Sequence, residues 1–231
     1  YSLIALNPNQ GTEYLEYSEG NKIITNSTYF ESAIDYNKTI KEKHEISGML
    51  IGIMRELKYA NAGNLQSSLP FRNLGLSGRF TYAFDGKYFS EFNFGYNGSE
   101  RFAKNERFGF FPSFGLGWYT SKENFMQPLS GALSKLKFKA TYGLVGNDQI
   151  GSSDDRFFYI SQVNLNNGAM GAPFGQEFGN YINGVSINRY ANNQITWEKA
   201  EMLNLGVEIG LIDQIEIQAD YFTETRTNIL M

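Results

Sequence analysis

The chain has 231 residues, a formal net charge of −4 and no cysteine. That length suits one large domain or two small ones. The acidic balance argues against a nucleic-acid binder, which carries a basic patch, and the missing thiol removes disulfides, thiolate nucleophiles and cysteine-based metal sites. Aromatics make up 16% of the chain, with 19 Phe and 15 Tyr beside 24 Gly and only 5 Pro, a composition suited to strands, tight turns and interfacial belts.

The strand pattern begins at residues 28–40, where Phe30, Ile34, Tyr36 and Ile40 share one parity and Glu31, Asp35 and Asn37 the other. Successive side chains of a strand point to opposite faces, so this is a strand with one apolar and one polar face. Lys41-Glu42-Lys43 is a short charged turn. Residues 44–57 place Ile46, Leu50 and Met54 on one face but Met49, Ile51 and Ile53 on the other, the pattern of a strand buried on both sides. A long polar loop is predicted over 58–72. Residues 73–84 alternate most clearly, with Leu74, Leu76, Phe80, Tyr82 and Phe84 against Ser77, Arg79 and Thr81. Asp85-Gly86-Lys87 is a hairpin signal, and 88–97 returns with Tyr88, Phe92, Phe94 and Tyr96 against Glu91 and Asn93.

A polar loop follows to Glu106. Residues 107–120 carry Phe108, Phe110, Phe114, Leu116 and Trp118 opposite Gly109, Ser113, Gly115 and Gly117. The connector 121–134 is predicted to hold a helical turn. Residues 135–146 set Leu136, Phe138, Ala140, Tyr142 and Leu144 against Lys135, Lys137, Lys139 and Thr141. The longest irregular stretch, 147–194, is rich in Asn and Gly, with Phe157–Leu165 as a strand projecting beyond the sheet. The last pair of strands, 197–211 and 214–228, is joined at Ile212-Asp213-Gln214.

Short joints near 41, 86 and 213 alternate with longer ones near 64, 102 and 170, so short and long connections sit at opposite ends of an up-and-down sheet. Outer-membrane barrels are built this way, with short periplasmic turns, long outer loops and aromatic girdles; Tyr82, Phe84, Tyr88, Phe89, Trp118 and Tyr119 crowd the short turns. The fold expected is all-β, an antiparallel transmembrane β-barrel with about eight long strands. The mean hydropathy of −0.37 is compatible with it, because lumen and loops are polar. No run of about 18 apolar residues exists, so no membrane-spanning helix is expected. Two alternatives stay open on pattern: a complete eight-stranded barrel with a structural or adhesive role, whose interior holds only its own side chains, and a secreted β-sandwich binding module.

Three stretches resemble the SusC/RagA family of TonB-dependent outer-membrane transporters. The first is Tyr96-Asn97-Gly98-Ser99-Glu100-Arg101-Phe102 with Asn105-Glu106-Arg107-Phe108-Gly109-Phe110-Phe111-Pro112-Ser113 and Gly117-Trp118; Asn97 stands where the family often has Asp. The second is Leu136 to Asn147, KFKATYGLVGN in its core. The third is Ile195-Thr196-Trp197-Glu198-Lys199-Ala200, followed by Leu205-Gly206 and Asp220-Tyr221-Phe222. The resemblance implies that residues 1–231 are part of a larger, 22-stranded transporter barrel in a bacterial outer membrane. Plug domain, TonB box and signal peptide are not recognised in the sequence, and the chain is expected to be an internal piece of a longer polypeptide. Its implied partners are a SusD-like surface lipoprotein acting as lid, TonB acting through the plug, outer-membrane lipid, and glycan or peptide cargo. No enzyme activity and no cofactor are implied.

Individual residues give weaker signals. His44, the single histidine, has no partner at ligand spacing and is read as structural or interfacial. Asp148, Asp154 and Asp155 lie in a Gly/Ser loop with Ca²⁺-compatible oxygens but no EF-hand spacing. Gly115-Leu116-Gly117 lacks the third glycine and following helix of a dinucleotide site. Glu198 and Glu201 form a carboxylate pair at a strand entrance. Asn26, Asn37 and Asn97 begin N-x-S/T triplets, coincidental in a bacterial outer-membrane protein. Phe157, Phe158, Tyr159, Phe174, Phe178, Tyr181 and Tyr190 are read either as a stacking surface for sugar or lid, or as loop packing. No catalytic, metal or cofactor residue is assigned, and no residue is assigned to cargo.

Overall fold

A computed structural model describes residues 20–63, 65–150 and 157–230. Eight long strands form one antiparallel sheet: β1 (Thr25–Ile40), β2 (His44–Tyr59), β3 (Phe71–Phe84), β4 (Tyr88–Ser99), β5 (Phe108–Tyr119), β6 (Leu133–Asn147), β9 (Glu198–Leu211) and β10 (Ile215–Thr227). They lie side by side in chain order, except that β7 (Gln162–Phe174) and β8 (Asn180–Arg189) form a separate two-stranded hairpin between β6 and β9. The predicted long strands are all present within a few residues of their expected ends.

The short turns explain the register. Lys41 and Glu42, Asp85 and Gly86, and Ile212 and Asp213 each have two successive positive φ angles, between 50° and 60°. That is the mirror-image turn whose twist matches a right-handed strand pair. Each closes by an N–H donated three residues back, as from Lys87 to the Phe84 carbonyl at 2.9 Å. Ile212, a β-branched residue that resists this conformation, is held by its own N–H to Ala132 O at 3.1 Å. The connector after β5 holds two 3-10 turns, Thr120–Lys122 and Asn124–Leu129, where a helical turn was expected.

Two expectations need correction. The stretch 147–194 is not mainly irregular: much of it is the β7–β8 hairpin, and the strand begins at Gln162 rather than Phe157. Asn167 Nδ2 donates to Ser186 Oγ at 2.9 Å and Asn183 Nδ2 to Asn166 Oδ1 at 2.7 Å, so the asparagines cross-link the hairpin through its register shifts. Nor is β2 buried on both sides. Met49, Ile51 and Ile53 are half-buried, because the sheet is one layer thick.

Large apolar side chains stand uncovered on one face, Phe30 at 59%, Phe114 at 56% and Leu116 at 65% exposure. Among the described residues no second sheet packs over them, which a sandwich requires. Among those residues, too, β1 and β10 do not pair, so these eight strands do not close into a small barrel.

Candidate functional site

Residues opposite one another in neighbouring strands share a face. Phe80, Phe92, Phe114, Tyr142 and Leu203 therefore make one continuous row, and Phe84, Tyr88, Trp118, Phe138 and Val207 another. Rings touch along and between these rows, with Phe92 and Phe114 centroids 4.8 Å apart. On β3 the apolar face runs from Leu74 to Phe84, about 11 residues, the length of a tilted strand crossing hydrocarbon.

Both ends of this band are polar. At the long-loop end Arg72 Nε donates to Glu56 Oε2 at 2.6 Å; on β9 the face turns polar at Glu201, just beyond Leu203, where its carboxylate accepts the hydroxyl of Tyr142. At the short-turn end Trp118 Nε1 donates to Glu123 Oε1 at 3.2 Å and Tyr88 donates to the same oxygen. Lys87 Nζ lies 3.6 Å from Glu123 Oε2. The girdle rings thus keep polar tips at the edge of the band, the amphipathic use of Tyr and Trp.

The Tyr88 hydroxyl, then the Trp118 indole and Lys87, hold the Glu123 carboxyl below its ordinary range. A carboxyl depressed on folding stabilises the fold above its unfolded value, near 4.5, and loses that contribution as pH falls through the lower folded value. Glu123→Gln in the full-length protein is expected to flatten the acid side of a melting-temperature profile below about pH 4.5. An unchanged acid slope would remove this role from Glu123.

The opposite face is paired and wet. Lys135 Nζ lies 2.8 Å from Glu208 Oε2 and also reaches Glu216, while Lys139 Nζ lies 2.6 Å from Glu208 Oε1. Arg79 Nη2 meets Glu91 Oε2 at 2.8 Å, and Asn93 Nδ2 donates to the other Glu91 oxygen at 2.7 Å. Lys137 sits over the Phe89 ring, 5.2 Å from its centroid. Gly206 makes room for this cluster: a Cβ there would lie 2.5 Å from Asp220 Oδ1. A concave surface of about 870 Å³ runs along this face, lined among others by Asn93, Ser113, Gly115, Lys137 and Thr141.

At the long-loop end the molecule has its one buried cluster among the described residues: Phe102, Phe111, Ile150, Phe158 and Trp197. β5 and β6 are in register only from Ser113 to Tyr119 on β5, and Pro112, which cannot donate to a ladder, stands where that pairing stops. Phe111 and Trp197 fill the split, with ring centroids 5.2 Å apart. Gly109 and Gly146 allow it, since a Cβ at either would lie 2.3 Å and 2.0 Å from the Phe111 ring. Trp197 Nε1 donates to Arg107 O at 3.3 Å, and Arg101 Nη1 to Ile150 O at 3.1 Å. The three family-like stretches meet here, through Phe102 and Phe111, through Gly146, and through Trp197.

The single-residue candidates are dispersed. His44 Nδ1 shares a 2.8 Å hydrogen bond with the Tyr82 hydroxyl and its ring lies 4.9 Å from Phe84. Asp148 turns its carbonyl to the N–H of Ile150; Asp154 and Asp155 lie outside the described residues. Gly115 and Gly117 are mid-strand. Glu198 and Glu201 fall on opposite parities of β9, so they are not a pair: Glu198 accepts from Asn147 at 3.0 Å, Glu201 from Tyr142. Asn26, Asn37 and Asn97 lie within strands. Phe157 and Phe158 are buried packing, whereas Phe174, Phe178, Tyr181 and Tyr190 are exposed on and around the hairpin. The aromatic cluster itself was missed as a unit, although its three parts were visible as motifs.

No family model matches the chain. In sequence it is 26% identical over 230 residues to TonB-dependent receptor P3 of Formosa agariphila, covering 89% of this chain and 22% of that protein. It is 33% identical over 150 residues to the TonB-dependent receptor SusC of Bacteroides thetaiotaomicron, covering 64% of this chain and 14% of that protein. The chain thus spans about a fifth of the length of the curated relatives it matches. Among solved structures it is similar to the RagAB peptide transporter, with a TM-score of 0.68, 23% identity and coverage of 90% of this chain and 24% of that one. The same importer in its 'open-open' state gives 0.64. In sequence the chain is similar to SusC-type TonB-dependent receptors, and its fold is an all-β antiparallel sheet similar to part of the RagAB transporter.

Proposed function

We propose that this SusC/RagA-like segment is one arc of a larger barrel in a bacterial outer membrane, belonging to a TonB-dependent importer of oligosaccharides or peptides closed by a SusD-like lipoprotein. The observation that carries this is the pair of unlike faces on a single-layer sheet. One bears an aromatic and aliphatic band about 11 residues tall on β3, interrupted at Ser32 and Gly52 and edged by charge at both ends, and suits lipid. The other bears ion pairs, amides and glycines, and suits a water-filled lumen. The names of the relatives, TonB-dependent receptors and a peptide transporter, support the same reading.

In this reading the arc does no covalent chemistry. It excludes lipid from the cargo path and carries the hairpin and loops that border the lid. Energy enters through TonB acting on a plug supplied by the rest of the polypeptide. Among the described residues the outer edges of β1 and β10 have no strand partner, which favours further strands on either side, because open edges of this length recruit partners. Fractionation of cells making the full-length protein, combined with uptake of labelled oligosaccharides and peptides, tests it. Expected are outer-membrane recovery and loss of uptake of one cargo class on gene deletion; a soluble protein, or uptake indifferent to the gene, contradicts it.

A further inference from the structure

The apolar face has a gap in it. Ser32, Gly52 and Leu76 stand opposite one another on β1, β2 and β3, and a cavity of about 450 Å³ opens there, lined by Phe30, Gly52, Met54, Leu76, Tyr96 and Phe108. Its floor is Gly52, where a Cβ would meet nothing within 4 Å. Glycine weakens a strand interior and marks places where a ligand approaches closely; here no neighbouring side chain uses the space. One wall is an aromatic pair, Tyr96 and Phe108, stacked with centroids 5.1 Å apart.

The rim toward the long loops is charged. Met54 lies two residues from Glu56, and Leu74 two from Arg72, about 7 Å along a strand. Glu56 bonds Lys58 at 2.5 Å and Arg72 at 2.6 Å, and Glu100 lies 3.8 Å from the Arg72 guanidinium, so two carboxylates place two cations at the mouth of the groove. Both cations are about half exposed, at 51% and 53%. An ammonium has three donors and a guanidinium five, so each keeps N–H groups beyond these bonds. Charged donors set where an apolar band ends are at headgroup height.

We propose that this groove is a binding site for a phosphate-bearing membrane lipid, one acyl chain lying over Gly52 and the phosphate taken by Lys58 and Arg72. The proposal rests on the reading that the apolar face borders lipid. A lipid matches both parts of the site at once, since it carries its anion at one end of its apolar chain. A second protein copy would instead have to bury the two half-exposed cations.

Gly52→Leu tests this without a packing conflict, because the added side chain enters open space. The full-length protein and its variants are purified from native membranes in mild detergent, and retained lipids are identified by native mass spectrometry and phosphorus analysis. Wild type is expected to keep a phosphate-bearing lipid, and both Gly52→Leu and the Lys58→Gln/Arg72→Gln double variant to retain about tenfold less, with outer-membrane insertion unchanged. Equal retention by the variants, no retained lipid on wild type, a lipid without phosphate, or a dimer that Gly52→Leu dissociates would each overturn the site. A full-length protein absent from the outer membrane would instead overturn the parent reading, before any lipid is measured.

Discussion

Trp197→Ala is expected to cost about 3–5 kcal/mol, the usual loss for deleting a buried large aromatic, and to spend that loss at one end of the molecule. Trp197 is 6% exposed and touches Phe102 and Phe111, while its indole N–H holds Arg107 O and its carbonyl accepts from Asn228. Loops from three places in the sequence depend on it, whereas the strands below are held by their ladders. Local opening therefore precedes global unfolding. Limited proteolysis of the full-length protein should show rapid cutting within 100–107 and 157–161, with the strands of the sheet still intact. Trp197→Phe should recover most of the protection. Equal cutting of wild type and Trp197→Ala would mean that the cluster does not organise the outer loops.

The second large effect is a contrast between adjacent residues of β5. Phe114→Arg puts a guanidinium in the middle of the apolar band, where a charge on the lipid side costs about 2–4 kcal/mol. Gly115→Arg puts the same group on the opposite face. A Cβ at Gly115 has only ordinary contacts, 3.5 Å to Thr141 and 3.7 Å to Glu91, and the Glu91 carboxylate is at hand for the new cation. Its expected cost is under about 1 kcal/mol. Folding yields or urea midpoints in lipid vesicles measure both. Equal penalties would show that the two faces see the same medium.

Alternation and turn chemistry were enough to read the eight long strands, because the apolar residues of β3 and β5 keep to one parity over most of their length. Asp85-Gly86 announced its hairpin, whereas the turns at Glu42 and Asp213 were legible only from the reversal of pattern around them. The hairpin β7–β8 was not legible. Its Asn and Gly residues have low strand propensity, and amide cross-links such as Asn183 to Asn166 take the place of an apolar stripe. Two-sided apolarity in β2 misled, since Met49, Ile51 and Ile53 occupy a polar face beside Ala33, Ser77 and Gly75 rather than a second interior. The carboxylates Glu198 and Glu201 looked like a pair in sequence, but a strand turns residues three apart to opposite sides. The aromatic cluster escaped because its members come from positions 102, 111, 150, 158 and 197, which only the folded sheet and its loops bring together.

The most direct measurement uses the absence of cysteine from this chain. Single cysteines placed in turn at positions 110 to 117 of β5, in the full-length protein reconstituted in vesicles, are spin-labelled and probed with oxygen, which concentrates in lipid, and with a water-soluble nickel chelate. Expected is strict alternation: labels at Phe110, Pro112, Phe114 and Leu116 relaxed by oxygen, and labels at Phe111, Ser113, Gly115 and Gly117 shielded from it, with the chelate reaching the more open of these. Labels on both parities equally exposed to the chelate, or the apolar parity shielded from both probes, would contradict a wall with lipid on one side and water on the other.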